Sequence, residues 1–418
     1  MNKKRFLLAG TLQFCNQATN LLLTVLLARH LGADPFGVFV FGISFLGYIN
    51  LFSDLGITTQ GVKDLSRKNF SFQDLLEKIV STKVILSTAL FIFATFYIGY
   101  FQEGSNQEKL SIIFIIFISV VNCFNMGWYF NTNGSYLWYF LPKNASTCIL
   151  IIYVFYFEAS LYLFCLLFTV SEIMISFSHL WKVKKTEKIS LLSKRFLTFN
   201  FDYLKQSLDT SAVLILDFLL TYLVIIIPGF FGNYTEVTTL FIINKLFYVF
   251  LFPLKNLISL TFIPTLSLRQ NEFLGSGFAI LVIKFLLISF SFSMIYVFFI
   301  ITYIKPITFF IFAEEISTDY IVILLAMNFI MVCISLPLWL FRVAFQKNLQ
   351  KGDDNAYKML ALACFFTLSM FCGYTVGGVG LFLGINFFAT SLWVIYLAIS
   401  LRNLNKRHYN AATDTSAQ

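Results

Sequence analysis

Twelve apolar stretches, each long enough to cross a lipid bilayer, follow one another along this sequence of 418 residues. A hydrocarbon core about 30 Å thick is crossed by an α-helix of about 20 apolar residues. The stretches lie near 6–28, 37–62, 79–101, 111–130, 144–158, 161–181, 208–227, 237–264, 278–304, 319–341, 356–375 and 379–401. The chain is therefore predicted to be an all-α polytopic membrane protein with about twelve transmembrane helices.

Composition excludes the common soluble classes. Charged residues make up 12% of the chain, against about 25% in soluble domains, and 58% of the residues are hydrophobic. All seven cysteines fall within apolar runs and none has the spacing of a metal site or a disulfide framework. We therefore expect no metal and no cofactor. The net charge of +9 is dispersed in short clusters between apolar stretches, which argues against nucleic-acid binding.

The basic residues predict the orientation of the chain. If both termini are cytoplasmic, 23 of the 30 lysines and arginines fall on cytoplasmic connections, Lys143 among them, and three fall on outer ones. This alternation follows the positive-inside rule and requires an even number of spans. Four lysines remain within spans: Lys83, Lys245, Lys255 and Lys284.

Two halves of six spans each would begin on the same side of the membrane and form parallel repeats. We therefore predict a first six-helix lobe over 1–183, a cytoplasmic linker over 184–201 and a second six-helix lobe over 202–404. The remaining residues, 405–418, form a polar cytoplasmic tail, and its part after Asn410 is expected to be disordered.

The first span carries a stripe of polar residues at helical spacing. Its members are Gln13, Asn16, Gln17, Asn20 and Thr24, here called the polar stripe. Polar groups within a membrane either hydrogen-bond neighbouring helices or face a hydrophilic cavity. Five in a row exceed what packing requires, which favours a cavity wall.

Lys245 lies near the middle of the membrane, too deep for its amine to reach the surface easily. Asn244, Tyr248 and the more inward Lys255 share one face of this span. These three residues and Lys245 are candidate substrate-binding residues. Lys83 and Lys284 are shallower, so their amines either reach the inner surface or line the cavity. The acids Asp54, Glu172 and Asp217 are candidates for cation coupling or for charge pairing with a lysine.

Catalytic motifs are not evident in the sequence. We find no nucleotide-binding loop and no nucleophile elbow, and the three histidines have neither metal-ligand nor nucleophile spacing. The chain is therefore expected not to be an enzyme.

Three segments resemble the polysaccharide-transporter family, the O-antigen repeat-unit flippases. These segments are Leu26–Arg67, Gly127–Phe140 (GWYFNTNGSYLWYF) and Phe247–Ser267 with its Ile263-Pro264-Thr265-Leu266 exit. The second departs from the family where Asn131-Thr132 replaces the frequent Gln-Gly.

The resemblance implies the multidrug/oligosaccharidyl-lipid/polysaccharide superfamily fold, with two six-helix lobes around a central cavity. It also implies a flippase that moves an undecaprenyl-pyrophosphate-linked oligosaccharide across the bacterial inner membrane, with membrane lipid and the polysaccharide polymerase and chain-length machinery as partners. Two alternatives stay open. One is a cation-coupled multidrug antiporter on the same fold, and the other is a membrane polysaccharide polymerase or acyltransferase.

Overall fold

The computed structural model describes residues 3–67, 71–133, 135–157, 160–187, 198–248, 276–312, 319–346 and 355–416. Within these ranges the regular secondary structure is entirely helical. The helices are α1 (Lys3–Leu31), α2 (Ala33–Asp54), α3 (Ile57–Arg67), α4 (Phe72–Tyr100), α5 (Asn106–Asn122), α6 (Gly127–Thr132), α7 (Tyr136–Tyr156), α8 (Leu161–Glu187), α9 (Phe201–Phe230), α10 (Tyr234–Tyr248), α11 (Ser276–Phe312), α12 (Asp319–Gln346) and α13 (Asn355–Ser416).

Each of the twelve apolar stretches overlaps a helix within its described residues, and positions 249–264 of the eighth stretch lie outside them. In the described part of the chain, six helices are both long and apolar enough to cross a membrane. They are α2, α4, α7, α8, the 282–309 part of α11 and the 365–399 part of α13. The other predicted spans correspond to α1, α5, α9, α10, α12 and the beginning of α13. The all-α, multi-pass architecture expected from the sequence is confirmed.

Two predicted spans are each divided into a long helix and a short one. The stretch predicted over 37–62 breaks after α2, where Leu55 (φ 38°) and Gly56 (φ 81°) adopt left-handed backbone conformations. Glycine takes this conformation without the steric cost that a side chain brings. The stretch predicted over 111–130 ends as a span at Asn122, and α6 follows as a separate short helix.

The prediction that Lys143 lies in a connection is wrong. The α7 helix begins at Tyr136, eight residues before the predicted start of this span, so Lys143 is inside the helix. Pro142 is also within α7. Because it lies beyond the first turn of α7, the Trp138 carbonyl oxygen lacks the helical N–H donor that another residue at this position would supply.

The last two predicted spans are the two parts of α13. Gly378 (φ 64°, ψ −158°) interrupts the helical backbone between them. The expected disorder after Asn410 is wrong as far as Ser416, because α13 continues to that residue. Ala411 and Ala412 contribute the highest intrinsic helix propensity in this region.

The α2 helix is the packing centre of the first half of the chain. It contacts α4, α5 and α8 from its own half and α9 and α10 from the second half. Phe36 and Phe41 on α2 are fully buried. In the same half, α1 packs against α7. In the second half, α12 packs between α11 and α13. One apolar core therefore runs through both halves.

A second, smaller apolar cluster surrounds the short helices α3 and α6. It contains Ile57, Trp128 and Tyr129 together with Tyr203 at the start of α9. The hydroxyl of Tyr129 donates a hydrogen bond to the Glu187 carboxylate at the end of α8. Burial of the hydroxyl, and to a lesser extent the neighbouring Glu187 carboxylate, raises the pKa of Tyr129 to about 12. The hydroxyl is therefore a donor at neutral pH. The Trp-Tyr-Phe segment thus fastens α6 to α8.

Candidate functional site

Hydrogen bonds within α1 organise the polar stripe. The Nδ2 of Asn20 donates to the Asn16 carbonyl oxygen at 2.8 Å and to Asn16 Oδ1 at 3.3 Å. The Thr24 hydroxyl donates to the Asn20 carbonyl oxygen at 2.7 Å. Gln13 is buried, and Asn16, Gln17 and Asn20 are half-buried. Since the described bonds of Asn16 and Asn20 stay within α1, they favour a polar surface over interhelical packing bonds.

Lys245 of α10 reaches this stripe from the second half of the chain. Its Nζ donates to Thr24 Oγ1 at 3.3 Å and lies 5.2 Å from the centre of the Phe241 ring. Among the described side chains, no carboxylate lies within 4.0 Å of this amine. Eleven residues separate Lys245 from the start of α10, which corresponds to a depth of about 16 Å along the helix. A cation near mid-membrane therefore contacts the Thr24 hydroxyl, the last member of the polar stripe.

The two candidates that neighbour Lys245 are buried against helices. Asn244 is 7% exposed and Tyr248 is 5% exposed. The Tyr248 ring packs edge-on against Phe329 of α12, with 5.5 Å between the ring centres. These two side chains therefore contribute to the packing of α10 within the bundle. Lys255 lies outside the described residues.

Asp54 and Lys83 form an ion pair at the other end of the first half. The Lys83 amine lies 3.0 Å from Asp54 Oδ1 and donates to Thr58 Oγ1 at 3.2 Å. The Thr58 hydroxyl also donates to Asp54, and the Thr58 backbone N–H does so at 3.3 Å. Of the two roles expected for Asp54, the geometry favours charge pairing. The structure does not bring Lys83 to Lys245.

The remaining charged candidates are dispersed. Glu172 of α8 interacts electrostatically with Lys143 of α7, whose amine donates to the Tyr139 hydroxyl at 3.1 Å. Lys284 is exposed on α11. The side chain of Asp217 lies outside the described residues, although its backbone is part of α9.

A buried polar cluster in the second half was missed by the sequence analysis. Thr390 Oγ1 donates to Asn328 Oδ1 at 2.7 Å, which joins α13 to α12, and also to the Asn386 carbonyl oxygen at 2.5 Å. Asn328 and Asn386 are 6% and 1% exposed. An asparagine within an apolar stretch is the signal that would have identified it. Pairing across two helices is the arrangement typical of packing.

The two halves of the chain meet closely at one end of the bundle, here called the outer end after the predicted orientation. It is the end that carries the turns at Gly32, 101–105 and 231–233. Gln102 Nε2 donates at 3.0 Å both to the Gly229 carbonyl oxygen and to the Tyr234 hydroxyl. The Thr238 hydroxyl donates to the Ala33 carbonyl oxygen at 2.6 Å.

Two glycines permit this approach. A Cβ atom on Gly37 of α2 would lie 2.0 Å from the Tyr234 carbonyl oxygen, and one on Gly229 of α9 would lie 2.1 Å from the Phe41 ring. Neither position accommodates a larger residue without movement of the helices. The outer end is therefore closed in this conformation.

The helices and their polar interior define a multi-pass membrane protein. Among the described residues, no cluster of metal-ligating side chains is present. Comparisons with protein-family models and with curated proteins find no match for the sequence.

Comparison with solved structures does find matches. The chain is similar to an inward-facing multidrug resistance MATE family transporter of the MOP superfamily (17% identity, TM-score 0.58), with 93% of this chain and 96% of that chain covered. It is also similar to the eukaryotic MATE transporter AtDTX14 (15% identity, TM-score 0.57, 97% and 98% covered). The outward-facing form of a MATE family transporter matches as well (16% identity, TM-score 0.56, 97% of both chains). The chain therefore has the MATE fold of twelve helices in two lobes.

Proposed function

We propose that this protein is a flippase that moves an undecaprenyl-pyrophosphate-linked oligosaccharide from the inner to the outer leaflet of the bacterial cytoplasmic membrane. The observation that carries the proposal is the Lys245 amine, which lies against the polar stripe with no carboxylate beside it in the described part of the chain. Such an unneutralised cation suits a pyrophosphate. Asparagine and glutamine amides suit sugar hydroxyls, because they both donate and accept hydrogen bonds.

Alternating access is the mechanism we propose. Solved structures with the same fold occur in inward-facing and outward-facing conformations. A closed outer end, held by Gln102 and Thr238, corresponds to one of two such states. A pyrophosphate and a hydrated sugar cannot cross about 30 Å of hydrocarbon unaided, whereas the lipid tail can remain in the bilayer throughout.

A cation-coupled multidrug antiporter is the second candidate. The structural comparisons favour it over the flippase, because one matched structure is described as a multidrug resistance transporter. The charges at the site favour the flippase. Lys245 would repel a cationic drug, and Asp54 and Glu172 each have a lysine nearby. The fold shared with transporters weighs against a polymerase or an acyltransferase.

The partners and the location follow from the flippase proposal. Both termini would lie in the cytoplasm, and the polymerase and chain-length machinery would receive the substrate at the outer surface. The proposed binding residues are Lys245, the polar stripe and Lys255.

A strain that lacks the chromosomal copy distinguishes the two candidates. We expect wild-type protein to restore surface polysaccharide, Lys245→Ala to reduce it at least tenfold, and Lys284→Ala, the matched control, to behave as wild type. Efflux of ethidium is measured in parallel in a strain without its own multidrug pumps. Ethidium efflux without restored polysaccharide would favour the antiporter and contradict the flippase.

A further inference from the structure

An apolar cleft opens between α1, α10 and α11, where the two lobes adjoin. Its volume is about 430 Å³, and its wall includes Leu21 and Val25 of α1, Leu246 of α10, and Phe299, Tyr303 and Ile307 of α11. The polar contribution to this wall is small. Phe299 and Tyr303 are about half exposed, so the cleft is open to the surrounding bilayer.

The cleft begins beside the cation described above. Val25 directly follows Thr24, and Leu246 directly follows Lys245, while the Lys245 amine and the Thr24 hydroxyl are hydrogen-bonded to each other. The Tyr296 hydroxyl donates to the Leu246 carbonyl oxygen at 2.5 Å, which fixes α11 against α10 at this level. A ligand in contact with Lys245 would therefore lie next to the apolar cleft.

The cleft extends from mid-membrane towards the outer end. Ile307 lies five residues before the end of α11, which corresponds to about 8 Å along the helix. Leu246 lies twelve residues into α10, at about 18 Å. The apolar wall therefore extends over about 10 Å, about a third of the hydrocarbon core, on the side to which a flippase would release its product.

We propose that this cleft holds the first isoprene units of the substrate's lipid chain while the pyrophosphate lies against Lys245. The inference rests on the proposed flippase function and names the part of the substrate that the cleft binds. A cation at the inner end and apolar side chains open to lipid match an anionic head and a hydrocarbon tail. An ordinary membrane lipid, the competing occupant, would give no link between cleft shape and affinity for the substrate.

Two pyrophosphates with a short and a long isoprenoid chain test the proposal with the purified full chain. The dissociation constants of dimethylallyl pyrophosphate and geranylgeranyl pyrophosphate are measured for wild type, Leu21→Trp and Leu22→Trp. Leu22 is the matched control, because it is the neighbouring α1 residue and is 50% exposed outside the cleft wall. The quantity compared is the dissociation constant of dimethylallyl pyrophosphate divided by that of geranylgeranyl pyrophosphate. Partition of the probes into the micelle is the same for every variant, so it cancels in this comparison.

We expect the ratio to fall at least fivefold in Leu21→Trp and to stay within twofold of wild type in Leu22→Trp. Val25→Phe is the second variant and should act as Leu21→Trp does. Lys245→Ala should weaken both probes alike. An unchanged ratio in Leu21→Trp and Val25→Phe would overturn the cleft proposal alone. If wild type binds neither probe, the flippase proposal fails and this inference fails with it.

Discussion

Thr24 and Lys245 are separated by 221 residues in the sequence, yet the Lys245 amine donates a hydrogen bond to the Thr24 hydroxyl at 3.3 Å. The contact joins a helix of the first lobe to a helix of the second. It therefore lies where the two lobes would move relative to each other in the alternating access proposed above. The same contact brings the Lys245 amine, a proposed anion-binding group, to the polar stripe.

The Thr24 hydroxyl should matter for transport through this contact. Thr24→Val removes the oxygen that accepts from Lys245 and should reduce the transport rate about fivefold, the factor that corresponds to about 1 kcal/mol for one hydrogen bond. Thr24→Ser keeps the oxygen and should transport as wild type does. The measurement is polysaccharide export at equal protein abundance. A loss in Thr24→Ser with none in Thr24→Val would show that the methyl group, not the hydroxyl, is needed.

The Asp54–Lys83 pair should stabilise the fold. Asp54→Asn leaves the partly buried Lys83 amine without its charge partner and should lower the free energy of unfolding by about 1–3 kcal/mol. The double variant Asp54→Asn with Lys83→Met should recover part of this loss, because no lone charge remains. Unfolding is followed in detergent micelles by circular dichroism. If instead both variants were fully stable but inactive in transport, Asp54 would be a coupling residue.

Gly37 should control the closed outer end. Gly37→Val adds atoms where a Cβ would already lie 2.0 Å from the Tyr234 carbonyl oxygen, so the lobes should separate at this end. Gly99→Val is the matched control, since a Cβ there meets no atom within 4 Å. Spin labels at positions 34 and 235, in a background without native cysteines, report the distance between the lobes. A longer distance is expected for Gly37→Val alone; an equal change in the control would contradict the prediction.

The Thr390–Asn328 hydrogen bond should contribute to stability between α12 and α13. Thr390→Val leaves the buried Asn328 oxygen without this donor and should cost about 0.6–1.7 kcal/mol, from the mean to the maximum measured for such bonds between membrane helices. The exposed Thr375→Val is the control and should be neutral. Thermal unfolding of the purified variants checks both. No difference between them would mean that this bond contributes nothing measurable.

The boundaries of α2, α5 and α7 show the limit of hydropathy. It predicts how many residues can cross a bilayer, but it cannot detect the backbone reversal at Leu55 and Gly56 that ends α2. Hydropathy also predicted too late a start for α7, because Lys143 and Pro142 resemble a connection in composition. The structure keeps Lys143 in the helix by means of its contacts with Tyr139 and Glu172.

The sequence by itself determined the class of the protein, the order of its spans and the position of each polar group along them. It could do so because a helix in lipid must satisfy its own backbone hydrogen bonds, so every span is a local property of about 20 residues. Only the tertiary structure decided which polar groups meet. It paired Asp54 with Lys83 and Thr24 with Lys245, because such contacts depend on how helices distant in sequence pack together.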